Sequence, residues 1–410
     1  MRYNHLISVV SRAKVFNKSD LLRKTTLLLA SSFTLFSLAV IAPSLPQIEY
    51  TFSSTPNVSM LTRLLLTIPA LAIAFASPFM GVLIDKYKRK TLLQLVVIVY
   101  VVSGTAAIWL DNLVLLLFSR FILGIAVGGL LTIVTTLIAD YYSGPTRTRM
   151  AAAQFSVMVF AVAAGTALSG ILADINWQLP FYMYFTALVL LPLIYISITE
   201  PSSINNKNED NLRLTTDAFP FLKAALIYSV AVITLLTTFM VPSQLPFLIY
   251  ENEIGGAREA GFGIALFNLM AALIVLAFRR IWERYSHITV LICGYTLLAT
   301  GYYFTATAGS ISQVFLGMAI SGSGFAVVIP TFTVWIFDIA PKKYRGRAVG
   351  GVTMSVFLGT GLSPIYSQPI ADWIGLSGAF YVSGIIQASF ILCFALIGLK
   401  NFFIYEGYRK

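Results

Sequence analysis

Charge is scarce in this chain, and so are the residues from which most enzyme sites are built. Only 11% of its 410 residues are charged, where a soluble domain averages about 25%. Two histidines, His5 and His287, and two cysteines, Cys293 and Cys393, complete a thin inventory. The cysteines sit alone in apolar segments. They make neither a disulfide framework nor a metal-ligand cluster, and they read as small packing residues. No Gly-x-x-x-x-Gly-Lys phosphate loop occurs, which excludes a self-contained ATP-driven pump. No catalytic triad can be assembled. The sequence therefore points away from an enzyme, a cofactor or a bound metal.

What is abundant is apolar. Hydrophobic residues make up 58% of the chain, in runs that are continuous rather than alternating, so helices and not barrel strands are expected to cross a bilayer. A hydrocarbon core of ~30 Å needs about 20 apolar residues per helix. That ruler predicts twelve spans, near residues 25–46, 60–83, 91–110, 113–139, 148–172, 178–198, 219–247, 258–281, 288–308, 311–337, 347–371 and 376–399. The fold class is all-α integral membrane, with the bilayer as its partner.

The net charge of +11 belongs to topology rather than to nucleic acid. With the N-terminus inside, all but three of the 28 Lys and Arg fall on the cytoplasmic side, a strong positive-inside bias. The exceptions are Arg63 and Arg258, assigned to outer loops, and Arg120, the one charge assigned to the interior of a span. Both termini are expected in the cytoplasm, in a multi-pass protein of the inner (cytoplasmic) membrane. No carboxylate falls at mid-span. Residues 1–24 read as a basic cytoplasmic segment, because the apolar run that follows is too long for a signal peptide and lacks an A-x-A-type cleavage site. The polar stretch 199–218 separates a half at 25–198 from a half at 219–399, and 400–410 forms a cytoplasmic tail.

The halves repeat at a fixed shift of 198 residues. Asp85 meets Glu283, Tyr87 meets Tyr285, Gly124 meets Gly322, Asp140 meets Asp338, and Asp174 meets Asp372. Arg147 and Arg149 meet Arg345 and Arg347. "PSLP" at 43–46 resembles "PSQLP" at 242–246, one or two residues out of register. Two parallel six-helix repeats are a plan used by secondary transporters. The stretch "GVLIDKYKRK" (81–90) supplies Gly81, Asp85, Arg89 and Lys90 of a Gly-x-x-x-Asp-Arg-x-Gly-Arg-Arg/Lys pattern, with Lys86 for the first Arg and Lys88 for the second Gly. "RFILGIAVGG" (120–129) supplies a second pattern.

On these residues the chain resembles the major facilitator superfamily over its whole length, and within it the twelve-span drug or metabolite:proton antiporters. The resemblance implies two six-helix halves around a central cavity. It also implies a cytoplasmic gate in which Asp85 sits at the N-terminus of span eleven, where a helix dipole favours a carboxylate by ~0.3–1 kcal/mol, with Arg89 pairing to Asp140. Glu283 and Asp338, with Arg284 and Arg347, are the expected counterparts. Gly81 and the basic tail are not repeated beside Glu283, so the first half is expected to carry the stronger latch.

A charge such as Arg120 costs ~2.5–3.5 kcal/mol at a helix centre on insertion scales, so it is expected to face protein or water. Family members often use this arginine in proton coupling or anion handling. Span one contains no acid, and Glu49, just beyond it, is the nearest candidate partner. "AVAAGTALSG" (161–170) and "GTGLSP" (359–364) are small-residue stripes for close helix approach, and Pro364 appears in span eleven where the antiporter pattern has a proline in span five. Phe36, Thr234, Thr238 and Trp335 lie on spans that line the family's cavity. Asn268 and Gln387 are lone polar groups in spans eight and twelve. The scarcity of polar groups and the wealth of Phe tilt the expected small-molecule substrate towards apolar area.

The function expected is proton-coupled export of a small, partly apolar organic compound, by a monomer working through alternating access. The alternative is proton-linked uptake of a nutrient or organic anion. A transporter-like scaffold or receptor without transport is a third class, against which the motif at 81–90 argues.

Overall fold

Proline decides where the first and seventh spans bend. In the computed structural model, which describes residues 18–200, 219–341 and 344–407, span one runs as an α-helix over Lys18–Ala39 and turns through a 3-10 segment at Ala42–Ser44. It resumes at Leu45–Thr51. Span seven breaks at the corresponding place, between Phe221–Thr238 and Met240–Glu251. Pro43 and Pro46 in one, and Pro242 and Pro246 in the other, remove backbone donors and crowd the preceding turn. The freed Val40 carbonyl accepts a hydrogen bond from the Ser169 hydroxyl of span five.

The remaining spans follow the apolar runs. They are Val58–Lys86, Arg89–Gly104 with a 3-10 turn at Ala106–Ile108, Leu113–Tyr141, Gly144–Ile175, Leu179–Ser197, Ala257–Arg284, His287–Ala306 and Ile311–Ile339. The sixth changes from α to 3-10 and back within its length. A last helical stretch, Arg345–Gly407, is two helices joined at Gly375, whose φ of 78° breaks the hydrogen-bond ladder. Among the described residues eleven segments are long and apolar enough to cross a membrane, and the break at Gly375 makes the last of them spans eleven and twelve. N-cap side chains close the starts of the fourth and ninth spans. Asn112 accepts from the Val114 and Leu115 amides, and Ser286 accepts from that of Thr289, which satisfies amides a helix leaves open.

The 198-residue register is also a packing register. A Cβ on Gly124 would strike the Pro69 carbonyl, and one on Gly322 would strike the Phe267 carbonyl. Pro69 and Phe267 are themselves 198 residues apart. Span two therefore crosses span four, and span eight crosses span ten, at equivalent glycines that let the backbones touch.

The halves meet along two seams, span two against span eleven and span five against span eight. Gly361 packs on Leu71 at the first, and Gly170 and Gly261 pack backbone to backbone at the second. One apolar core fills the N-terminal half. It continues into Met240, Leu245, Leu248, Ala260, Ile264 and Phe267 of the other half, near one end of the molecule. A separate core, with Ala224, Leu291, Tyr295, Phe332, Ala348 and Phe394, fills the opposite end of the C-terminal half. There Gly81 of span two and Gly350 of span eleven face open space. The halves are clasped at the end bearing Glu49, Asp174 and Asp372, and part towards the end bearing the basic loops.

Candidate functional site

At the clasped end the chemistry centres on Arg63. Sequence reading assigned it to an outer loop and left Arg120 as the single charge inside a span. Both statements need correction. Arg63 lies in the second turn of the helix Val58–Lys86 and is only 3% exposed. Its Nη1 donates to Glu49 Oε2 at 2.7 Å and to the Ser59 carbonyl at 2.8 Å. Its Nε donates to Gln244 Oε1 at 2.8 Å. Its guanidinium carbon lies 3.7 Å from the centre of the Phe247 ring. Glu49 also accepts from the Ser59 hydroxyl at 2.6 Å. Glu49 and Phe247 are 198 residues apart, so repeat-equivalent positions flank the same cation. One half supplies the cation and the acid, and the other supplies an aromatic face and an amide.

The chain of donors continues into the C-terminal half. Gln244 Nε2 donates to Ser367 Oγ at 3.0 Å and to Gln368 Oε1 at 3.2 Å, and Gln368 Nε2 donates to Asp372 Oδ1 at 2.7 Å. A second clasp spans the other seam, where Arg258 Nη2 lies 3.3 Å from Asp174 Oδ2. Asp174 and Asp372 are the repeated acids, so each seam is closed beside one of them. The first clasp is buried, while the second is half exposed and correspondingly weak.

Arg120 is fully buried, and among the described residues no acid pairs with it. Its Nη1 donates to the Tyr184 hydroxyl at 3.0 Å and its Nη2 to the Gly104 carbonyl at 3.1 Å. The Phe181 and Tyr184 rings lie 4.7 Å and 5.1 Å away. The expected Glu49–Arg120 pairing is therefore corrected. The proline-bent segment after span one carries Glu49 across to span two, whereas Arg120 points into the junction of spans three, four and six. There it caps the C-terminal carbonyl of the helix Arg89–Gly104, a favourable place for a cation.

At the opposite end Arg89 forms an ion pair with Asp140. Glu200 accepts from the Arg89 and Lys90 amides at 2.8 Å and 3.3 Å, capping span three from the start of the 199–218 linker. Asp338 was expected beside Arg284 and Arg347. The described partner of its carboxylate is His287, at 3.2 Å, and Arg347 is exposed. The register carried the signal: His287 stands 198 residues after Arg89, as Asp338 does after Asp140. Tyr142 donates to Asp20 at 3.0 Å, and burial together with that acid raises its phenol above the ordinary range. The side chains of Asp85 and Glu283 lie outside the described residues, although the helices that carry them do not.

The residues suggested for the cavity are mostly engaged in packing. Phe36 is buried against Gly165 and the Phe33 and Tyr184 rings. Thr234 is hydrogen bonded to Tyr295, Gln387 donates to Thr237, and Thr238 is buried. Asn268 donates to the Ile264 carbonyl of its own helix, and Trp335 packs against His287 and Phe394. An apolar groove of about 500 Å³ does open between spans five, eight and ten, lined by Phe160, Ala164, Phe262, Ala265, Leu269 and Phe315 among others.

Known proteins resemble this arrangement throughout. A D-xylose-proton symporter has a solved structure that superposes with a TM-score of 0.73 at 15% identity, covering 90% of this chain and 97% of that one. In sequence, a class H tetracycline resistance protein of Pasteurella multocida is 21% identical over 85% of this chain and 90% of its own. An uncharacterized MFS-type transporter of Methanocaldococcus jannaschii is 23% identical over 57% of this chain and 61% of its own length. The Major Facilitator Superfamily profile matches residues 27–251 and again 227–401, one match for each half. With its paired six-helix halves and both halves matched, the chain belongs to the Major Facilitator Superfamily and is a multi-pass membrane transporter.

Proposed function

We propose that this protein moves a small, partly apolar organic compound by alternating access, coupled to protons and in the direction of export. The observation that carries the reading is the one-sided clasp. The described polar links between the halves, Arg63–Gln244 and Arg258–Asp174, gather at the Arg63 end, and the described ion pairs at the other end, Lys24–Asp20, Arg89–Asp140 and His287–Asp338, each stay within one half. Two rigid halves joined at one end are poised to rock about a central site. The positive-inside bias of the loops supports an orientation with the clasped end outside and both termini in the cytoplasm. Similarity to a tetracycline resistance protein supports export. The linker 199–218 then connects two halves that act as rigid units, and the protein works as a monomer.

Uptake of a nutrient or organic anion is the second reading, favoured by the fold shared with a D-xylose-proton symporter. It draws little support from Arg120, whose two terminal nitrogens already donate to a tyrosine hydroxyl and a backbone carbonyl. Flux in sealed vesicles with an imposed pH gradient separates the two. Export predicts accumulation of an apolar test compound in inside-out vesicles with an acidified lumen, and loss of that accumulation when the gradient is collapsed. Accumulation in right-side-out vesicles from an acidic exterior would favour uptake. Gradient-independent behaviour across a broad compound panel would sink both.

A further inference from the structure

The clasp at Arg63 joins a buried cation to an acid that solvent can reach. Arg63 is 3% exposed and the Glu49 side chain 24% exposed. Desolvating a guanidinium is unfavourable unless a charge and hydrogen bonds replace its water. Here Gln244, the Ser59 carbonyl and the Phe247 ring supply dipoles and a π face, and Glu49 is the carboxylate in direct contact. Other charged groups stand further off. Glu251, at the end of the second segment of span seven, and Asp372, at the end of span eleven, act on Arg63 through space, and Glu251 also faces Glu49. Tyr250 is the remaining titratable side chain on the span-seven segment that packs against Leu45–Thr51.

The bonds around Arg63 have one polarity. Arg63 donates both to Glu49 and to Gln244, Gln244 donates to Gln368, and Gln368 donates to Asp372. A protonated Glu49 keeps its place as an acceptor but no longer neutralises the guanidinium. The cation is then under-compensated in its buried position, and separation of the halves, which admits water to it, becomes the way to restore its solvation.

We propose that Glu49 is a proton-binding site that releases this clasp, so that acid in the solution facing this end favours its opening. The inference rests on the alternating-access reading above. The proton enters and leaves from the same side, so the site biases which end opens and does not itself carry protons across the membrane. The sign follows from the pairing. Ionised Glu49 holds the end shut, and its hold is lost as that side is acidified.

The test reads both ends of the full-length protein reconstituted in lipid nanodiscs, with Cys293 and Cys393 replaced by serine. Spin labels at Ser54 and Asn252, both exposed, report the clasped end. Labels at Lys88 and Lys223, also exposed, report the other. On acidification from about pH 7.5 to about pH 4, the long-distance population at the first pair should rise several-fold while the second pair closes. Glu49→Gln should hold the first pair open at both pH values, Glu49→Asp should restore the response, and Asp372→Asn should leave it in place. A pH response that survives unchanged in Glu49→Gln overturns the proposal while leaving alternating access intact. Two ends that fail to move reciprocally under any condition overturn both.

Discussion

Arg63 and Arg120 are both arginines buried in membrane-spanning helices, and they differ because their partners do. Arg63 reaches across the boundary between the halves to Gln244 and the Phe247 ring, so those contacts must break when that boundary opens, while its bonds to Glu49 and the Ser59 carbonyl stay within its own half. Arg120 binds within one half and braces the junction of spans three, four and six. Its planar fork reaches two acceptors in different helices and stacks on two rings, a geometry lysine cannot copy. Arg120→Lys should therefore lower stability by roughly 1–3 kcal/mol, the range for losing a hydrogen bond to a charged group. Thermal unfolding of the purified protein in detergent checks this, and a wild-type midpoint would refute it. His287 offers a smaller contrast. It stands where the first half has Arg89, and its ion pair with Asp338 exists only while the imidazole is protonated. His287→Arg should put a permanently charged group in its place. Both side chains are substantially exposed, 33% and 52%, so the gain should stay below about 1 kcal/mol. The measurement is the difference in thermal midpoint between variant and wild type at mildly acidic and alkaline pH. A gain confined to acid would contradict the assignment.

At the scale of the helices, glycine position separates fixed contacts from moving ones. Gly124 and Gly322 sit at crossings inside a half, where a Cβ would strike backbone that cannot yield. Gly124→Val should cost roughly 1–3 kcal/mol as an overpacked site, and should reduce folded protein in the membrane. Gly81 is different, because nothing lies within 4 Å of a Cβ built there. Gly81→Val should leave folded yield and thermal stability unchanged in the clasped state, and should slow transport if span two meets span eleven at this level in the other state. Size-exclusion profiles and flux on the same preparations distinguish the cases. Equal loss of folded protein in both variants would refute the distinction. Such positions were legible in sequence, since the 198-residue register marks Gly124 and Gly322 as equivalent. The matching of "PSLP" and "PSQLP" was legible too, but spans one and seven were expected to be continuous over 25–46 and 219–247, and their breaks were not foreseen. The partners of Arg63 were not legible. Hydropathy places a charge near a span end as if it lay in the loop, and nothing local to Glu49 shows that the bend after Pro43 swings it towards span two rather than span four. Nor did the polar character of Thr234 and Gln387 reveal whether they face a cavity or a neighbouring helix.

For the whole molecule, the question is how much each clasp contributes to holding one end closed. The two seams are pseudo-equivalent, yet their clasps are chemically unequal. Arg258–Asp174 lies half in solvent, where an ion pair contributes about 0–1 kcal/mol. The Arg63 network is buried, and removing a partner there leaves a polar or charged group unsatisfied at roughly 1–3 kcal/mol or more. The balance between end states should therefore respond unequally to two mutations of similar size. Arg258→Ala should shift the open population at this end by at most about fivefold, whereas Gln244→Leu, which keeps the volume but strands Arg63 Nε, should shift it tenfold or more. The comparison needs only the spin-label pair at Ser54 and Asn252 in each variant at neutral pH. Because both mutations lie far from the basic loops, neither can act by weakening the gate at the other end directly. A larger shift from Arg258→Ala than from Gln244→Leu would mean that the exposed seam, and not the buried cation, sets which side of the membrane this transporter faces.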